Sequence, residues 1–198
     1  MQFKAFEKGI EVNGQTVYSI VDGFKVVKSM AHKILSEAGI GENGKHGDFR
    51  IDPAAWYPQE AWLAAFEQIA REVGESVLYQ IGLAIPQNAK FPPWVKDIDS
   101  AIKSINIAYH MNHRKGRDVM FDPATGRMLE GIGNYGYQRV EGEKRIISVC
   151  ENPYPSEFDR GILTCMAKKF EPAAIVVRDE ARPCRRTGHD SCTYVIRW

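Results

Sequence analysis

The sequence lacks the features of a membrane or secreted protein. It has no stretch of about 18 consecutive apolar residues, which excludes a conventional transmembrane helix. Lys4, Glu7 and Lys8 interrupt any apolar start, so no signal-peptide pattern opens the chain. The 26 basic and 25 acidic side chains leave a net charge of +1, which does not favour binding to nucleic acid or to a membrane surface. We therefore expect a cytoplasmic protein that binds neither.

The sequence also lacks the motifs of the common enzyme classes. It has no Gly-x-Ser-x-Gly elbow, phosphate-binding loop, HExxH helix or Rossmann glycine motif, since Gly131-Ile132-Gly133 has no third glycine. Asp97 and Asp99 are two residues apart and point to different faces of a helix, which makes them a poor acid–base pair. These absences argue against an enzyme.

Only 4 of the 198 residues are cysteine, and a cytosolic chain of this size keeps them reduced. Cys184 and Cys192 flank a loop containing Gly188, so the chain can bring both sulfurs toward one point. Cys150 ends a predicted strand that could lie in the same sheet. Three thiols and one further ligand make a tetrahedral zinc site, whereas the simpler interpretation is reduced cysteines on neighbouring strands. The candidates for the fourth ligand are Glu180, Asp179 and His189.

Two kinds of hydrophobic pattern divide the chain. Apolar residues recur at helical spacing through 53–116, whereas short alternating runs typical of strands fill 117–198. A helix over about 156–170 interrupts these strands. The order predicts one α+β domain over 1–198, in which N-terminal helices pack on a mostly antiparallel sheet crossed by one helix.

Residues 1–52 are predicted to form a hairpin and a helix. Asn13-Gly14 is a strong two-residue turn signal between alternating apolar residues. The apolar residues of the second strand would be Val17, Ile20 and Val21. A helix would then begin near Asp22 and end at Gly39.

The C-terminal quarter carries the most specific pattern in the chain. Its features are a cysteine at a strand end, a small-residue helix, a strand that ends in acid, two further cysteines and a last hydrophobic strand. In this sequence they are Cys150, Gly161–Cys165, Val176–Glu180, Cys184, Gly188-His189-Asp190, Cys192 and the strand ending at Trp198. This pattern resembles the 4-vinyl reductase domain family. It also resembles the heme-nitric-oxide/oxygen-binding (H-NOX) domain, which shares a structural superfamily with Golgi tethering subunits.

The resemblance to 4-vinyl reductase domains implies a small-molecule sensor. The aromatic-responsive regulators among them carry a structural zinc, held by cysteines and one acidic residue, beside an apolar pocket. Carried over to this sequence, the zinc ligands would be Cys150, Cys184 and Cys192, with Glu180 as the acid. Glu180 precedes Cys184 by four positions, whereas the family pattern usually has three.

The H-NOX resemblance implies heme as the alternative cofactor. That branch uses a Tyr-x-Ser-x-Arg motif to contact the heme propionates. Tyr154 and Ser156 match the motif, whereas Phe158 stands where the arginine is expected and Arg160 lies two residues beyond.

The same branch needs an axial histidine on the helix before the sheet. Lys103 falls at that position, and His110 and His113 lie about two turns further on. The alternative interpretation is that these histidines are basic residues near a helix C-terminus, where they complement the helix dipole.

The helical part, 53–116, is rich in aromatic residues, which could line a pocket for an apolar ligand. The predicted ligand-binding residues are Trp62, Phe66, Tyr79 and Trp94, with Tyr109 and His110 as polar anchors. We therefore expect a sensor of a small hydrophobic or aromatic ligand that signals through a protein partner carrying the output, because no output domain fits in this length. The alternative is a heme-based sensor of nitric oxide or oxygen, and a third is an enzyme or carrier for tetrapyrroles or vinyl groups. The resemblance also suggests a homodimer, which no residue of the sequence establishes.

Overall fold

The computed structural model describes residues 2–22, 28–44, 48–87 and 89–198. It confirms the predicted α+β class, with six helices and antiparallel sheets in the described ranges. The helices are α1 (Gly14–Asp22), α2 (Lys28–Glu37), α3 (Gln59–Val73), α4 (Ser76–Gln87), α5 (Ile98–Met111) and α6 (Ser156–Phe170). Within the described ranges, none of them is long and apolar enough to cross a bilayer.

The strands form two larger sheets and two short hairpins. In the N-terminal half they are β1 (Ile10–Asn13), β2 (Glu42–Asn43), β3 (Phe49–Arg50) and β4 (Trp56–Pro58). The middle of the chain adds β5 (His113–Lys115), β6 (Asp118–Val119), β7 (Phe121–Asp122) and β8 (Arg127–Met128). The last strands are β9 (Asn134–Tyr135), β10 (Gln138–Arg139), β11 (Arg145–Glu151), β12 (Ile175–Arg178) and β13 (Ser191–Arg197).

The N-terminal sheet has the order β4-β1-β5-β6. The C-terminal sheet has the order β10-β11-β13-β12, with β9 also paired to β11. Helix α6 packs on the inner face of the C-terminal sheet and crosses α4 closely. Gly82 and Gly161 make this crossing possible, because a Cβ on Gly82 would collide with the Phe158 carbonyl oxygen and lie 3.0 Å from the Gly161 Cα. The paired hairpins are β2-β3 and β7-β8.

The predicted N-terminal hairpin is wrong, because Gly14 begins a helix. β1 pairs instead with β4 and β5. The Asn13 side chain accepts a hydrogen bond from the Gln15 N–H at 2.8 Å, and the Gly14 N–H donates to the Ala55 carbonyl at 2.8 Å. A Cβ on Gly14 would collide with the Asp52 carbonyl, so this glycine is required by a close backbone approach rather than by a turn. The residues assigned to the second strand, Val17, Ile20 and Val21, are buried along α1.

The helix predicted from about Asp22 to Gly39 is seen in part. Residues 23–27 lie outside the described residues, and α2 covers the remainder as Lys28–Glu37. Gly39 follows α2 with a φ of 71°, as a residue that ends a helix does.

Candidate ligand cavity

A cavity of about 120 Å³ lies among α1, α3, α4, α5 and α6. Its wall is almost entirely apolar. The aromatic residues in the wall are Trp62, Phe91, Tyr109, Tyr135, Tyr154 and Phe158. An apolar cavity of about 150 Å³ in another protein stays dry and binds benzene, and this cavity is only slightly smaller.

His113, which is 3% exposed, is the histidine of the wall. Its Nδ1 lies 2.7 Å from the Tyr109 carbonyl oxygen, and its Nε2 lies 2.8 Å from the Tyr154 hydroxyl. A carbonyl oxygen can only accept, so Nδ1 carries the proton and Nε2 accepts a hydrogen bond from Tyr154. Burial lowers the pKa of His113 to about 4. The imidazole is therefore neutral at pH 7 in a fixed tautomer.

The two tyrosines beside His113 are also uncharged. Burial is the main cause that raises the pKa of Tyr109 and of Tyr154 above the ordinary value. The Tyr109 hydroxyl donates a hydrogen bond to the Ile132 carbonyl at 2.6 Å. The described wall holds no lysine, arginine, aspartate or glutamate, so the cavity presents no formal charge to a ligand.

A buried donor near the start of α3, the Trp62 indole Nε1, has no partner among the described residues. Trp62 is 1% exposed. A buried donor without a partner costs about 1–3 kcal/mol. Trp62 is also one of the residues of the cavity wall.

A buried ion pair is hydrogen-bonded to two tyrosines of the cavity wall. The Arg185 guanidinium and the Asp159 carboxylate are both fully buried and form a direct contact. Arg185 also donates to the Tyr154 carbonyl at 2.6 Å, and the Tyr135 hydroxyl donates to Asp159 at 2.5 Å. Asn152 donates to Asp159 at 3.2 Å. This network joins the loop between Cys184 and Cys192 to two tyrosines of the cavity.

The structure separates the residues predicted to bind a ligand. Two of the six lie in the wall, Trp62 and Tyr109. Phe66 packs behind Trp62 with ring centroids 4.6 Å apart, and Trp94 is 44% exposed. Tyr79 lies under the Arg160 guanidinium, 4.1 Å from the ring centroid. His110 lies outside the wall, with Nδ1 donating to the Asn106 carbonyl at 2.9 Å.

Helix α1 and the segment after α4 contribute to the cavity wall, which the sequence pattern did not predict. Thr16 and Ile20 of α1 line the cavity, but the predicted hairpin placed them elsewhere. Pro86 and Phe91 close another side. The signal for α1 is the helical spacing of its apolar residues, which the turn signal at Asn13-Gly14 obscured.

The structure brings the predicted cysteines together but not the acid. Cys150 and Cys192 are register partners on adjacent strands, and the Sγ atoms of Cys184 and Cys192 are 2.7 Å apart. Two thiolates on one tetrahedral zinc would be about 3.7 Å apart. Glu180 is mostly exposed and pairs with Arg178 at 2.6 Å. Within the described ranges there is no group of three or more His, Cys, Asp or Glu side chains that could hold a metal ion, so the predicted zinc site is not supported.

Of the three residues predicted to contact heme propionates, only Tyr154 lies in the wall, and Ser156 and Arg160 do not. Phe158 lines the cavity where the motif has arginine, and Arg160 pairs with Glu157 at 2.7 Å outside it. Ser156 is buried, and its carbonyl accepts a hydrogen bond from Tyr194 at 2.6 Å. The acidic groups of a heme would therefore meet no cation in the described wall.

Axial ligation does not fit a heme either. Lys103 is exposed, with its ammonium 4.5 Å from the centroid of the Tyr137 ring. Both ring nitrogens of His113 have protein partners. In this conformation the residues present do not fit a heme.

Comparison with solved structures defines the fold. An H-NOX protein from S. oneidensis, a triple mutant in the Fe(II) ligation state, is 16% identical with a TM-score of 0.63, covering 93% of this chain and 95% of that one. An H-NOX protein from S. oneidensis in the Fe(II)NO ligation state is 15% identical with a TM-score of 0.61, covering 93% and 97%. The Fe(II) unliganded H-NOX protein from K. algicida is 13% identical with a TM-score of 0.59, covering 93% and 95%.

No family model matches the chain, and no curated protein matches its sequence. At these identities the likeness to solved structures concerns the fold. The chain therefore has an H-NOX-like fold, and membership of the 4-vinyl reductase family stays a prediction.

Proposed function

We propose that this protein is a sensor domain that binds a neutral, single-ring compound with one oxygen acceptor. The observation that carries the proposal is an apolar cavity whose wall includes Trp62, a residue whose indole N–H is buried without a partner among the described residues. The H-NOX fold supports a sensing role, because that fold is named for the binding of small molecules.

The chemistry of the wall restricts the ligand. A cavity of about 120 Å³ is close in size to a cavity of about 150 Å³ that binds benzene in another protein, which favours a single ring. A carboxylate or an ammonium group would be desolvated without an opposite charge, because His113 is neutral and no ionised side chain lines the described wall. A neutral oxygen can accept from Trp62, as the hydroxyl of phenol does. Phenol is therefore the smallest probe with all the required properties.

The cavity lies between elements from both halves of the chain, which suggests how ligand binding is signalled. Five helices contribute to the wall, so a ligand contacts elements from both halves of the chain. The Arg185–Asp159 network then connects the wall to the C-terminal sheet. We propose that occupancy changes the surface offered to a protein partner that carries the output.

Isothermal titration calorimetry with phenol and toluene tests this proposal. Toluene matches phenol in size but lacks the acceptor, so phenol should bind more tightly. In Trp62→Phe the affinity for phenol should fall by about tenfold, the worth of one hydrogen bond, and that for toluene should change little. Trp94→Phe, which alters an exposed tryptophan, is the matched control. Equal binding of the two compounds, or phenol binding that ignores Trp62→Phe, would contradict the proposal.

Heme-based gas sensing is the second candidate. It is favoured by the solved Fe(II) and Fe(II)NO H-NOX structures of the same fold, and it requires His113 Nε2 to exchange its hydrogen bond from Tyr154 for the iron. The Nδ1–H of His113 donates to a carbonyl, which is the arrangement that orients a metal-binding imidazole. The absorption spectrum and iron content of the purified protein decide between the two. A heme band with one iron per chain, lost in His113→Gln, would favour this candidate, and a colourless protein would favour the first.

Zinc stays a prediction that the same sample tests. One zinc per chain, lost in Cys184→Ser but retained in Cys165→Ser, would restore the site predicted from the cysteines. Less than about a tenth of a zinc per chain would leave Cys150, Cys184 and Cys192 as buried thiols, the usual environment of free cysteine.

A further inference from the structure

The outer face of the C-terminal sheet exposes a block of β-branched apolar residues. Side chains alternate along β11 and β13, so that one set is buried toward α6 and the other points outward. In the outward set, Ile147, Val195 and Val177 stand side by side across three strands in register. Val149 is 42% exposed and Val177 is 45% exposed. Ile175, at 65%, is the most exposed of the large apolar residues described.

The two ends of this outer face carry opposite charge. At one end, Arg145 and Arg197 are direct cross-strand partners in the outward set. At the other end, Glu151 is exposed and pairs in register with Ser191 and Asn134. Among the described residues, neither Arg197 nor Glu151 forms an ion pair. The face therefore runs from basic through apolar to acidic along the strands.

We infer that this outer face is the interface of a homodimer with two-fold symmetry. A two-fold axis that lies in the interface and crosses the strands reverses their direction. It places the Arg197 end of one protomer over the Glu151 end of its partner, and the apolar middle of each face over that of the other. An axis along the strands would instead stack arginine on arginine. Two such faces would pack about 10 Å apart, as in aligned β-sandwiches.

The pattern favours a second copy of this chain over an unrelated partner. An isologous contact requires a self-complementary surface, and a face with opposite charges at its two ends has that property. Arg145 already has an acid of its own chain, since it pairs with Glu143 at 2.8 Å, whereas Arg197 opposite it has no ion-pair partner among the described residues. In the proposed dimer, Glu151 of the other protomer supplies the acid for Arg197.

Sedimentation velocity over a hundredfold range of concentration, up to about 100 µM, tests the interface. The wild-type protein should dissociate reversibly from dimer to monomer. Val177→Glu should weaken the dimer at least about tenfold, whereas Val119→Glu, at a comparably exposed valine of β6, should leave it unchanged. A monomer at every concentration, or a dimer that tolerates Val177→Glu, would overturn the proposal.

Charge reversal tests the orientation of the two faces. Arg197→Glu and Glu151→Arg should each weaken the dimer about tenfold at low salt, and the double variant should recover to within about threefold of the wild type. Circular dichroism confirms that each variant is folded. Tighter association of Arg197→Glu, or no recovery in the double variant, would overturn the crossed arrangement.

Discussion

Lowering the pH should destabilise this protein through His113. The imidazole is buried, and both of its nitrogens have partners in the neutral form. Burial lowers its pKa from 6.5 to about 4, and His110 nearby contributes in the same direction. The unfolded chain therefore binds a proton between about pH 6.5 and pH 4, whereas the folded protein does not. In that window the free energy of unfolding falls as the pH falls.

The magnitude follows from the difference between the two pKa values. Linkage gives a loss of about 2 kcal/mol between pH 7 and pH 5, and about 3 kcal/mol once both pKa values are passed. Two other buried groups also have shifted pKa values. Burial raises the pKa of Asp159 and lowers that of His110, so the pH profile of the wild type alone does not isolate His113.

The variant His113→Gln isolates it, because glutamine can donate to the Tyr109 carbonyl and accept from Tyr154 but does not titrate. Urea denaturation at pH 7 and at pH 5 should show a difference between wild type and variant that changes by about 2 kcal/mol, with the wild type losing more at low pH. Parallel pH profiles for the two proteins would refute a neutral, buried His113 and with it the neutral wall of the cavity.

Further substitutions test the packing around the cavity. Arg185→Met leaves Asp159 buried without its partner and should lower the free energy of unfolding by about 3–5 kcal/mol in urea denaturation. Adding Asp159→Asn should recover part of this loss, and no recovery would contradict the importance of the uncompensated charge. Gly82→Ala should lower stability by about 1–3 kcal/mol because its methyl group would collide with the Phe158 carbonyl, and a stabilised variant would contradict that close crossing.

Long periodic segments were predictable because their pattern and their environment agree. The helix predicted over about 156–170 is α6, Ser156–Phe170, whose buried residues recur at helical spacing. The stripe through Ile102, Ile105 and Tyr109 likewise faces inward on α5. At Asn13-Gly14 the local turn signal competed with a tertiary contact, since Gly14 packs against the backbone of Asp52, which no local pattern encodes.

The cavity was harder to predict than the helices around it. Trp62 and Phe66 lie one turn apart on the same buried face of α3, yet only Trp62 reaches the cavity. The sequence cannot distinguish a residue that lines the cavity from one that packs in the core, because both side chains are apolar and buried. The loop spacing did predict that Cys184 and Cys192 meet, whereas Glu180 is drawn away by Arg178, two residues earlier on the same strand end.

The indole N–H signal of Trp62 in a ¹H–¹⁵N correlation spectrum tests the central claim most directly. The chain has 4 tryptophans, and Trp62→Phe assigns the signal. We predict that phenol shifts the Trp62 indole proton strongly downfield as it gains an acceptor, that toluene shifts it only slightly, and that Trp94 is unaffected by either. Saturable phenol binding that leaves the Trp62 signal in place would contradict the claim that this unpartnered donor selects the ligand.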